Sequence, residues 1–210
     1  MKKIDKGLEP AELSKWKARN PGKHYGQLES PQRAAIRHAC AAEQFYLCAY
    51  CCQTISGESN DTTNEHLQPR DTHPHLGLDF SNIVASCTTD GQCDKAHAHQ
   101  VIPLTPLMPE CEHELRFMIS GRVEGLSDRA KEMIRVLNLG DVEQNNRLLI
   151  EKRKQLSHAL MRTDGLDPYS PLEDDELLES LIDELNTPIN GKLQPFAPVV
   201  CNILRGWLTV

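Results

Sequence analysis

Apolar residues recur at helical spacing through the second half of this chain. Ala130, Met133, Ile134 and Leu137 form one stripe, and Ser127 stands where its helix cap belongs. Asn138-Leu139-Gly140 ends that helix. Asp141 with Gln144 reads as a capping box for the next, which is expected to run to about Met161 and to bury Leu148, Leu149, Leu156 and Leu160. Ser170-Pro171 opens a third helix, with Leu177, Leu178, Leu181, Ile182 and Leu185 as its stripe. Phe196, Val199, Val200, Ile203, Leu204 and Trp207 repeat the period once more. Nearer the start, residues 1–13 read as an extended lead-in with a short helical turn, and the segment that follows breaks at Pro21-Gly22. Ser30-Pro31 begins a helix to about Tyr46, with proline where its missing N–H costs nothing. In the middle the pattern shortens. A strand is expected over 64–68, a short apolar one over Ile83 to Ser86, and a helix from Asp94 to about Gln100, curtailed by Pro103, Pro106 and Pro109. Leu115 to Val123, turning at Gly121, reads as a hairpin. The whole predicts a mostly α chain with a helical C-terminal half.

Composition adjusts this picture in three places. At 210 residues there is material for a real core, but aromatics are only 5%, so Leu, Ile, Val and Ala must fill it. The N-terminus lacks the apolar run of a signal peptide, and no apolar stretch approaches the ~20 residues of a membrane span. With eight cysteines in such a chain, metal and free thiols are favoured over disulfides, and a cytoplasmic location is expected. The net charge is −7, and it is uneven. Residues 1–37 hold nine Lys/Arg against four Asp/Glu, while residues 164–187 hold nine Asp/Glu and no Lys/Arg. Lys15, Lys17, Arg19 and Lys23 on the basic arm are candidates for lying along a phosphate backbone; a solvated face is the alternative. The acidic segment suits solvent or a protein partner.

The chemistry concentrates between Cys48 and His99. Cys48 and Cys51 have the spacing that lets both sulfurs reach one ion; Cys87 and Cys93 form a looser pair. Two loops that each bring two thiolates can close a tetrahedral four-cysteine zinc site. Cys52, beside Cys51, could replace it, and Cys40, Cys111 and Cys201 stand apart as expected buried free thiols. Between and just after the cysteines lie Glu65-His66, Asn82, Asp94 and His97. Carboxylate mixed with imidazole fits a hydrolytic metal site rather than a structural one. His73, His75 and His99 read as surface residues.

This order of cysteine pair, acidic-His-Leu-Gln-Pro, Asn, Cys and Cys-acidic resembles the HNH endonuclease motif. The resemblance implies a ββα unit around one catalytic metal. It also implies roles: Glu65 and Asp94 bind the ion, His66 is the general base that activates water, and Asn82 fixes the loop. The family more often has Asp at the position of Glu65, and His or Asn at that of Asp94. Both residues here still offer oxygen to a hard cation, which points to magnesium or manganese. A divalent ion there polarises the scissile phosphate and helps the leaving oxygen, while a neutral imidazole takes the proton from water. The zinc pins the loops and touches no substrate.

More of the chain is similar to one subgroup, the PtuB-type HNH nucleases of Septu and retron-associated anti-phage defence systems. The similar segments include I-D-K-G-L-E-P-A-E-L, E-Q-F-Y-L-C-A-Y-C, N-E-H-L-Q-P-R, L-D-F-S-N-I-V-A-S-C and L-R-F-M-I-S-G-R-V-E-G, and they extend to about residue 160. His97-Ala98 stands where Lys-Gly is expected, which leaves the third ligand open, with His97 a candidate. The resemblance implies a nuclease acting on nucleic acid, DNA first, with an ABC/SMC-like ATPase as its partner protein. The chain is expected to divide into a basic arm and lead-in helix (1–47), the HNH unit with its zinc site (48–102) and a helical, partner-binding region (103–210). The alternative is a zinc-stabilised adaptor whose HNH site is degenerate and inactive.

Overall fold

The computed structural model describes residues 1–208. Helices α1 (Ala11–Arg19) and α2 (Ser30–Glu43) precede a hairpin of β1 (Thr62–His66) and β2 (Ile83–Cys87), followed by the one-turn helix α3 (Asp94–His97). A second hairpin, β3 (Leu115–Phe117) and β4 (Val123–Gly125), leads into α4 (Asp128–Leu137), α5 (Glu143–Thr163), α6 (Asp175–Asn186) and α7 (Ala197–Arg205). The fold is therefore mixed and mostly α, with two small antiparallel hairpins and a helical C-terminal half. Among the described residues no helix is long and apolar enough to cross a membrane.

Local chemistry explains where most elements begin and end. Pro31 starts α2 as expected, but the helix stops at Glu43 rather than Tyr46. Phe45 and Tyr46 have positive φ, which breaks the helical path. The buried Gln44 side chain then donates to the carbonyls of Leu47 and Ala85 and accepts from the amide of Ala85, clamping the chain reversal onto β2. The expected lead-in is laid against the body: the amide of Ile4 donates to Pro106 O at 2.8 Å. Lys6 ion-pairs with Glu43, donates to Ile83 O at 2.7 Å and lies 3.7 Å over the Phe80 ring.

In β1 the strand spans Thr62–His66, two residues before the expected 64–68, because Leu67 and Gln68 already turn to meet Asn82. The register sets Glu65 opposite Val84 and His66 opposite Ile83. Helix α3 ends at His97 instead of near Gln100, where Ala98 takes a positive φ.

In the C-terminal half, Ser127 caps α4 as expected: its Oγ accepts from Ala130 N at 3.2 Å. The capping box at Asp141 and Gln144 does not form. The chain kinks at Asn146, whose Oδ1 accepts from Leu149 N at 3.1 Å and caps the longer part of α5. That shift turns the helix. Leu149 is buried as expected, but Leu148 is 86% exposed and Leu156 faces outward, while Arg153, Ser157 and His158 are buried instead. Helix α6 starts at Asp175, behind Asp174, whose side chain accepts from Leu177 N at 3.0 Å, rather than at Ser170-Pro171. Leu178, Ile182 and Leu185 face inward, and Glu176, Glu179, Asp183 and Glu184 are exposed. The larger apolar core draws on the lead-in, on α2, on the β1–β2 hairpin and on α4 and α7, so residues from all three stretches of the chain share it.

Candidate metal centre and catalytic cluster

The sulfurs of Cys48, Cys51, Cys87 and Cys93 lie within 4.8 Å of one another, and all four residues are buried. Tetrahedral zinc with Zn–S near 2.3 Å requires sulfurs about 3.8 Å apart; Cys51 and Cys87 are 4.0 Å apart. The backbone holds this arrangement. Cys48 N donates to Gln53 O at 2.8 Å and Cys52 N to Cys48 O at 3.1 Å, closing a tight knuckle. Cys52, at positive φ, is turned out of the cluster, so Cys51 and not Cys52 belongs to it. Cys87 ends β2, and its amide donates to Cys48 Sγ at 3.3 Å. Cys93 precedes α3 and its N–H is tied to Leu137 O at 2.9 Å.

The four-thiol donor set fits a structural zinc ion. Hydrogen bonds from Cys48, Cys51 and Cys93 hold the Cys87 thiol far below its ordinary range, whereas burial and these neighbours push Cys93 up. Four thiolates in one buried site need a cation. Two outer groups add to the case. Gln92 turns Nε2 toward Cys51, Cys87 and Cys93 at 3.8, 3.7 and 3.9 Å. Arg153, fully buried, donates to Gly121 O and Leu139 O at 2.7 and 2.9 Å and makes no ion pair with a carboxylate among the described residues. Burial pulls its guanidinium down from the ordinary range, and the nearby cysteine sulfurs partly hold it up. Neither residue was singled out by spacing, because neither is a ligand. Cys40, Cys111 and Cys201 are buried and free, their thiols pushed up to about 12, 12 and 11 by burial.

The second cluster is built on the end of β1 and the start of α3. Glu65 is buried; its Oε1 accepts from Tyr50 OH at 3.2 Å and is paired with Nδ1 of His97. Asp94 is set by the knuckle: its amide donates to Ser86 Oγ at 3.2 Å, on β2. The Glu65 and Asp94 carboxyls face each other. Burial and the negative charge of Glu65 push Asp94 up to about 8, and burial also raises Glu65. Two such carboxyls resist being ionised together unless a cation sits between them. That donor pair fits a hard divalent ion. Burial pushes the His97 imidazole down from its ordinary value, and its Nε2 is buried without a partner among the described residues. Among the described residues only the four cysteines form a group of three or more ligand atoms within 4.8 Å; Glu65, Asp94 and His97 do not close a second one.

His66, next to Glu65, points elsewhere. Its Nε2 donates to the backbone carbonyl of Gly77 at 3.0 Å, because a carbonyl can only accept. Burial, aided by the charge of Arg70, holds this ring down at about 4, so it is neutral at pH 7 with the lone pair on Nδ1. Tyr25 packs edge-on against it, ring centroids 4.5 Å apart. The negative charge of Asp94 tends to raise His66 and is outweighed by burial. Asn82 ties the intervening loop: Oδ1 accepts from Gln68 N at 2.8 Å, and Nδ2 donates to Gln68 O at 3.1 Å and Leu76 O at 3.3 Å. Tyr50, Tyr25 and the Gly77 carbonyl carried no sequence signal beyond lying within or near the cysteine and histidine segments.

The remaining candidates lie elsewhere. Lys17 is paired with Glu9 and donates to Leu78 O at 3.3 Å, while Lys15, Arg19 and Lys23 are exposed on α1 and the turn after it. His99 pairs with Asp71 at 2.8 Å on the surface. No protein-family model matches this chain, and no curated protein matches it.

Proposed function

We propose that this chain is a metal-dependent HNH endonuclease that hydrolyses phosphodiester bonds of nucleic acid, DNA first. The supporting observation is the tethered imidazole: Nε2 of His66 is bound by Gly77 O while the ring stays neutral, on the strand that also carries Glu65. A histidine that offers Nδ1 at neutral pH can take a proton from water. Glu65 and Asp94 would hold magnesium or manganese, which supplies charge stabilisation at the phosphate. His97 and Tyr50 orient Glu65, and Asn82 keeps the loop that carries Gly77 in place. The zinc cluster ties the end of β2 to the start of α3 and so sets Asp94 against Glu65.

In this reading the resemblance to the PtuB-type nucleases adds an ABC/SMC-like ATPase as partner in anti-phage defence, and the exposed acidic face of α6 is one surface for it. A zinc-stabilised adaptor with an inactive site is the second reading, and it draws on one observation: Glu65, Asp94 and His97 do not converge as the cysteines do. Plasmid cleavage with magnesium or manganese, partner ATPase present, separates the two. His66→Ala that folds and holds zinc should lose cleavage by at least about 100-fold. Cleavage undiminished in that variant ends the role of His66 as base, and no metal-dependent cleavage by the parent chain favours the adaptor.

A further inference from the structure

A polar cleft of about 210 Å³ runs beside β1 and opens onto Asp94. Tyr25, together with Arg33 and Arg37 of α2, Thr63 and Asn64 of β1, and Asp94 and Lys95 of α3, are among the residues that line it. Among the described residues, Arg33, Arg37 and Lys95 make no ion pair with a carboxylate, although acidic groups outnumber basic ones in this chain. Elsewhere the contrast is clear: Lys6, Lys17, Arg129 and Arg135 are each met by a carboxylate.

The two guanidiniums are fixed by backbone carbonyls instead. Arg33 donates Nε to Leu28 O at 3.0 Å and Nη2 to Gly26 O at 3.1 Å; Arg37 donates Nε to Gly57 O at 3.2 Å. Such bonds hold a guanidinium in place without cancelling its charge, and leave further N–H groups free. Arg33 also lies 5.0 Å from the Tyr25 ring centre, and that ring packs against His66. One aromatic side chain therefore joins the cationic lining to the tethered imidazole.

We infer that this cleft seats backbone phosphates flanking the bond to be cut. The inference rests on the nuclease reading for what is cut, but the binding itself stands on the charge and placement of these residues. Held cations, hydroxyls and an amide suit phosphate oxygens, and the aromatic ring in the lining, Tyr25, is itself engaged by Arg33 and His66. The phosphate-binding groups then come from α2 and α3. Lys15, Lys17, Arg19 and Lys23 line no part of the cleft.

The test uses the full chain carrying His66→Ala, so that substrate survives, and a labelled mixed-sequence DNA oligonucleotide, single-stranded and duplex, with magnesium present. Anisotropy gives the affinity at several salt concentrations. Arg37→Gln and Lys95→Gln together should weaken binding about 10-fold or more and lower the slope of log affinity against log salt by roughly one for each phosphate that is no longer neutralised. Arg162→Gln, on α5, removes one positive charge away from the cleft lining and should leave both unchanged. Circular dichroism and zinc content verify that the variants fold. Unchanged affinity and slope in the folded double variant overturn the proposal, as does absence of DNA binding by the parent at low salt. If the wild-type chain cuts in a His66-dependent way while the double variant binds normally, the cleft fails and the nuclease reading stands. If the double variant loses binding while no form of the protein cuts, the nuclease reading fails and the cleft stands.

Discussion

Asn146 donates through Nδ2 to the side-chain oxygen of Gln92 at 3.1 Å, and Gln92 turns its own amide nitrogen to three of the four cluster sulfurs. The same Asn146 Nδ2 donates to Asn138 O at 2.9 Å. One asparagine thus kinks α5, caps it and joins it to the four-cysteine cluster. Gln92→Leu keeps the volume and removes the donor, so chelator competition should register a zinc affinity about 10–100-fold weaker. An unaltered affinity would mean that the amide does not serve the sulfurs.

Asn82→Asp tests the loop clamp. A carboxylate still accepts from Gln68 N but cannot donate to Gln68 O or Leu76 O, and it faces both oxygens with like polarity. Urea denaturation should give a loss of about 1–3 kcal/mol, the cost of leaving buried polar groups unpaired. Amide exchange at Gln68 and Leu76 should quicken locally. Wild-type stability would show that the loop is held by other interactions.

Gly121→Ala should be among the most disruptive single-methyl changes in the second hairpin. Gly121 has φ +85°, and a Cβ there would stand 2.2 Å from Ile150 O. Backbone strain alone costs about 1–3 kcal/mol, and the clash also pushes the turn off α5, where Gly121 O accepts from Arg153. Thermal denaturation gives the magnitude; a midpoint equal to wild type contradicts this packing.

Glu114 should titrate far below an ordinary carboxylate. Hydrogen bonds from Arg129, then Ser127, bring it down to about 2. The folded value is depressed, so its contribution to stability is complete above the unfolded value of about 4.3. It is lost as pH falls from there towards 2. Carboxyl NMR should place the Glu114 midpoint near 2, and Arg129→Gln should move it up. A midpoint already in the usual range would contradict the pairing with Arg129.

Much of the architecture was legible in the order of residues. Ser127, Ala130, Met133, Ile134 and Leu137 define α4 because capping and a 3.6-residue stripe are local properties. The two cysteine pairs pointed to one cluster, since thiols at such spacing share few other uses in a chain of this kind. Other features depended on distant partners. Asn146 rather than Asp141 caps α5, with Asn146 bonded to Gln92, far away in the chain, and to the nearer Asn138, and Leu148 faces outward and Arg153 inward. Cys51 and Cys52 are equivalent by position, and only the folded arrangement, which brings the Cys51 sulfur and not that of Cys52 to the other three, separates them. His66 gained its tether from Gly77, eleven residues away, across a loop whose path Asn82 sets. Residue types and short-range spacing determined which elements form and which groups are available for chemistry. Tertiary packing decided which atoms meet, because burial and long-range hydrogen bonds act between segments that the linear pattern does not relate.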